Sequence, residues 1–154
     1  MLKKYLPLLL VVLAAIFGVE QFTAHDSSDT GSSASPQTAS ENDTGRDAIT
    51  AAYRNHAQDL PVSGKGEVVK VLRDDTRGDQ HQRFILRVAR GQTVLVAHNI
   101  DLAPRIANLH AGDTVGFNGI YEWNPQGGVV HWTHRDPGGR HAAGWLERNG
   151  QRYQ

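Results

Sequence analysis

Hydrophobic and polar positions change period along the chain in an order that predicts its elements. Over 47–60, Ile49, Ala52, Tyr53, His56 and Leu60 fall near i, i+3, i+4, i+7 and i+11, the stripe of an amphipathic helix that Pro61 would end. His56 belongs to that stripe as a packing residue. From 66 to 72 the residues are β-branched and apolar, and the polar run 74–79 has the composition of a hairpin loop. Gln82, Phe84, Leu86 and Val88 then alternate with His81, Arg83, Ile85 and Arg87, which predicts a half-buried strand with one wet, basic face. Arg90, Gly91 and Gln92 turn the chain into an apolar strand over 93–98. Asp101 is placed to cap a short helix with Pro104 in its first turn and Leu102, Ile106 and Leu109 on one side. A strand over 114–123 carries Gly116 and Gly119 where a barrel would bend, and a strand over 129–134 follows. Asn149-Gly150, inside 145–153, is a strong hairpin signal.

Three strands, a short helix and two strands predict a mainly β domain, a small OB-like five-stranded barrel (β-β-β-α-β-β) with an N-terminal helix and a C-terminal hairpin. In that architecture the ligand face lies on the second and third strands and adjoining loops. His81, Arg83 and Arg87 then fall near it.

The two ends of the chain differ in composition. Lys3 and Lys4 precede an apolar run over 6–19, so residues 1–24 read as a signal-anchor or signal peptide. Phe22 stands where a signal peptidase site favours a small residue, which tilts the expectation toward a single-pass inner-membrane anchor over a soluble periplasmic product. Either way the rest of the chain is expected outside the cytoplasm. Residues 25–46 contain almost no large apolar side chain and read as a disordered acidic tether, leaving 47–154 as the OB-like domain with its preceding helix. Residues 20–61 hold seven acidic and two basic residues, and 62–154 hold twelve basic and nine acidic. That small positive balance does not by itself argue for nucleic acid as a partner. The chain has no cysteine, which excludes disulfides, thiolate metal sites, a lipidated N-terminal cysteine and cysteine nucleophiles.

Candidate chemistry concentrates in 131–141, where His131, His134, His141, Asp136, Arg135, Arg140 and Trp132 are close in sequence. Imidazole and carboxylate bind divalent ions or move protons, and arginine with tryptophan can hold an anion or a ring. Three site expectations follow. His134 and Asp136 form a catalytic pair, with Asp136 orienting the imidazole as a base. His81, Arg83, Arg87, Trp132, Arg135 and Arg140 bind a polar or anionic ligand. His98, His134, Asp136 and His141 form a metal set for a divalent ion such as zinc. If the strand stays extended to 136, Trp132, His134 and Asp136 share a face and His131 points away. No serine is framed for Ser-His-Asp catalysis, and Gly138-Gly139 lacks the strand and helix of a phosphate-binding loop. Trp123, Trp132, Trp145, Tyr121 and Tyr153 are core residues by default, although rings on an OB surface can also stack on bases or sugars.

The leader, the tether, the runs 66–72, 81–84 and 97–105, the segment 121–124 and His131-Trp132-Thr133-His134 together resemble the bacterial family called domain of unknown function 3465, over about 53–154. The resemblance implies a small exported or anchored protein and brings no reaction with it. The leading functional expectation is an extracytoplasmic domain, held to the inner membrane by its N-terminal segment, that binds a polar or anionic ligand. A metal-dependent hydrolase acting on phosphodiesters and a structural envelope interaction domain are the alternatives.

Overall fold

The structure, a computed structural model, describes residues 41–154, with side chains from Gly45 onward. The leader at 1–24 and the tether as far as residue 40 lie outside the described residues. Period-two burial builds the barrel. Strands β1 (Leu60–Val71), β2 (His81–Ala89), β3 (Gln92–Asn99), β4 (Thr114–Glu122) and β5 (Val129–His131) run in the order β1-β2-β3-β5-β4. Pairing of β1 with β4, from Leu60↔Tyr121 to Glu67↔Thr114, closes the ring. The β3–β5 pair is parallel and the others are antiparallel, which is the strand order of an OB barrel. A register shift between Val68 and Lys70 bends β1, so its first half lines β4 and its second half lines β2. Phe84, Leu86, Val94, Val96, Val115, Phe117, Tyr121 and Val130 fill the interior. The hairpin of β6 (Trp145–Arg148) and β7 (Gln151–Tyr153) extends the sheet from β4, with Asn149 and Gly150 at φ of 52° and 77° making its turn.

Helix α1 spans Glu41–Arg54, so it begins inside the stretch assigned to the tether and ends before the expected 60. Its end is a Schellman motif. Ala57 N donates to Ala52 O at 2.9 Å and His56 N to Tyr53 O at 3.2 Å, with His56 at φ 51° in the position glycine usually takes. The His56 ring lies 4.1 Å from the Trp123 ring, and Leu60 opens β1 instead of closing the helix. The helix can lie on the barrel because Gly45 faces Gly64: a Cβ on Gly45 would come within 2.6 Å of Gly64 Cα and Ser63 O. Ile49 and Ala52 are buried against the barrel.

The short helix expected after β3 does not form. Residues 100–113 are turns whose backbone is captured by side chains from the barrel and hairpin. Gln82 clamps Ile106 by accepting from its N–H and donating to its carbonyl, both at 2.9 Å. His98 Nε2 donates to Pro104 O at 3.1 Å, and Arg148 donates to Ala107 O at 2.9 Å. Asn99, not Asp101, caps the first turn, its Oδ1 accepting from the N–H groups of Asp101 and Leu102. Ile106 and Leu109 enter the core as expected, whereas Leu102 is exposed and Ala103 is buried in its stead.

Candidate functional site

Strand β5 pairs with β4 at Ile120–Glu122 and β6 pairs with it at Gly116–Asn118, so residues 132–144 loop out of one run along β4. The base of this loop is pinched. Gly144 N donates to His134 O at 3.0 Å, and a side chain on Gly144 would collide with the carbonyl of Trp132. Asp136 folds the tip by accepting from Gly138 N at 2.8 Å, Arg140 N at 2.6 Å and His141 N at 3.0 Å. These hydrogen bonds, led by that of Gly138, hold its carboxyl below the ordinary range.

Trp132 opens the loop in the left-handed conformation, at φ 53°. A bulky side chain there is an outlier. Its half-buried ring stacks on His141 at 4.3 Å, with His134 at 5.4 Å and His131 at 6.2 Å. His134 is buried, and its Nδ1 donates to Arg135 O at 2.7 Å. His131 is half-buried, and its Nε2 has no hydrogen-bond partner, with Glu122 Oε1 at 3.8 Å being too far for one. Burial lowers the His131 pKa to about 4; His81, His141 and His134 add to that shift and Asp59 opposes it. These interactions put His81 in electrostatic reach of the cluster. Its Nδ1 lies 2.9 Å from Asp79 O.

A family model described as a protein of unknown function, DUF3465, matches residues 31–154. The chain belongs to this family. A search of curated proteins finds no match to it.

In this DUF3465 member the expected metal set is not assembled. Among the described residues, no three His, Asp or Glu side chains are grouped to hold an ion. His98 is buried in the core with both ring nitrogens engaged, Nε2 by Pro104 O and Nδ1, at 2.8 Å, by the Thr133 hydroxyl. Burial lowers its pKa to about 4. Asp136 spends its oxygens on the loop backbone, and no hydrogen bond joins it to His134, so the expected catalytic pair is absent as a pair. The shared face expected of Trp132, His134 and Asp136 also fails, because β5 stops at His131 and the left-handed backbone of Trp132 breaks the strand's alternation.

The expected ligand residues divide. Trp132 is at the centre of the cluster, and His81 lies within electrostatic reach of His131. Arg83 is occupied, donating to Arg73 O at 2.9 and 3.1 Å, with Asp75 at 3.8 Å. Arg87 is nearer the opposite end of β2, about 20 Å along the strand from His81 at roughly 3.3 Å per residue, and pairs with Glu67 at 3.7 Å. Arg135 and Arg140 are exposed on the loop. Glu122 and Asp59 were not read from the sequence as parts of this region. No sequence signal marks them, since each becomes relevant only through barrel closure.

Proposed function

We propose that this domain binds a polar or anionic ligand with a flat group on the surface made by His81, His131, Trp132 and His141, with the buried His134 behind it and Arg135 and Arg140 at its rim. The observation that carries this reading is Trp132, held at φ 53° with its ring half-buried among three imidazoles. Such a conformation in a large side chain costs on the order of 1–3 kcal/mol and persists where the surroundings impose it, a pattern that clusters at ligand sites. A metal-dependent hydrolase is the weaker reading, because His98 and Asp136 are committed to structural hydrogen bonds. The lysines and apolar run of the leader support an extracytoplasmic position for the domain, on an inner-membrane anchor.

Adenosine monophosphate joins a flat ring to an anion and serves as the probe. Calorimetric titration of the full chain should give saturable binding, weakened at least tenfold by Trp132→Ala with the melting temperature retained. Equal affinity in the variant, or no saturation in the wild type, would remove the reading.

A further inference from the structure

Away from the histidine cluster, four cationic side chains from separate parts of the fold border one groove of about 370 Å³: Arg46 of α1, Lys65 of β1, Arg87 of β2 and Arg90 of the β2–β3 turn. Among the described residues of its lining Glu67 is the one carboxylate, and it is already set against Arg87 at 3.7 Å. Lys65 and Arg90 are exposed and make no ion pair among the described residues. The floor is kept low by Gly66, where a Cβ would come within 2.7 Å of Arg87 O and 3.2 Å of the Val88 side chain. This concentration of positive charge stands on a chain whose formal net charge is zero.

We propose that this groove is a second, independent site, one that binds phosphate groups. Charge balance selects the class. With Arg87 set against Glu67, Lys65 and Arg90 leave two positive charges that no described carboxylate offsets, and a phosphate ester or pyrophosphate carries more than one negative charge on few atoms where a lone carboxylate does not. Guanidinium forks match adjacent phosphate oxygens, and Lys65 adds a point charge beside them. The phosphate can come from a soluble anion or from a lipid headgroup, and both present the same chemistry.

The test is an amide NMR titration of the full chain with inorganic pyrophosphate, alongside flotation with vesicles of phosphatidylglycerol in phosphatidylcholine. Saturable shifts confined to Lys65, Gly66 and Val88–Arg90 are expected, with affinity falling as salt rises. Lys65→Ala combined with Arg90→Ala should weaken binding at least tenfold without moving the melting temperature. Lys70→Ala combined with Arg77→Ala removes the same charge elsewhere and should leave it unchanged. Binding to pyrophosphate alone or to anionic vesicles alone supports the site and names the source of the phosphate. Shifts spread over the surface without saturation, equal losses in both double variants, or binding to neither probe would overturn it. None of these readouts depends on Trp132, so this site and the histidine surface stand or fall separately.

Discussion

Asn149 and Trp132 both take left-handed backbone angles, at φ 52° and 53°, for opposite reasons. Asparagine before glycine adopts that conformation readily in a tight hairpin, which is why the β6–β7 turn was legible in the sequence. Nothing in the side chain of tryptophan favours it, so the end of β5 at His131 was not. Replacing Trp132 by glycine should therefore preserve or raise the unfolding midpoint in urea while abolishing ligand binding. A loss of both would make the ring a packing residue. His98 was read as a metal ligand from its residue type alone, and the carbonyl of Pro104 and the hydroxyl of Thr133 make it a core hydrogen-bonding residue instead. Its pKa of about 4 in the folded state lies below the ordinary 6.5, so the unfolded chain binds the extra proton first as pH falls. Stability should be full above about pH 6.5 and decline toward pH 4, by as much as roughly 3 kcal/mol from this residue. His131 acts in the same direction. Urea unfolding at steps across that window checks the sign, and His98→Gln, which keeps a donor and an acceptor without titrating near neutrality, should flatten the slope.

Among the elements, the strands were the most legible, because one buried face imposes a period of two that no loop mimics. The segment 100–113 was misread because Ile106 and Leu109 do face inward at helical spacing, while the deciding partners, Gln82 and His98, lie on strands that sequence distance hides. Helix α1 was placed too late for a related reason: its first turns carry polar residues and Gly45, whose packing value appears only opposite Gly64. Gly45→Val should lower the melting temperature by about 5–15 °C, the effect of forcing the helix off β1 at a cost of about 1–3 kcal/mol. Scanning calorimetry measures it, and an unchanged transition would mean that the helix does not depend on this contact. The loop 132–144 should respond to Asp136→Ala without the barrel responding. Exchange of the Gly138, Arg140 and His141 amides is expected to accelerate, with the amides of β2 and β3 unaffected.

For the molecule as a whole, strand order followed from element order, since the OB-like sequence of strands is satisfied by closing β1 on β4 and laying β5 beside β3. The candidate site was legible in part. The sequence located the 131–141 segment and Trp132, yet it could not show that Arg83 is bound to Arg73, that Arg87 borders another groove, or that Asp136 serves the loop. No helix among the described residues is long and apolar enough to cross a membrane. A fusion at Asp47 to a reporter active only after export should be active in cells, and activity confined to a cytoplasmic reporter would contradict the extracytoplasmic reading. Ligand binding at the Trp132 surface is tested most directly by the indole N–H resonance of Trp132, assigned by its loss in Trp132→Ala, during titration of the full chain with adenosine monophosphate. A saturable shift of that resonance, with the Trp145 signal still, is the expected result; an unmoved Trp132 signal while the nucleotide binds elsewhere, or no binding at all, would contradict it.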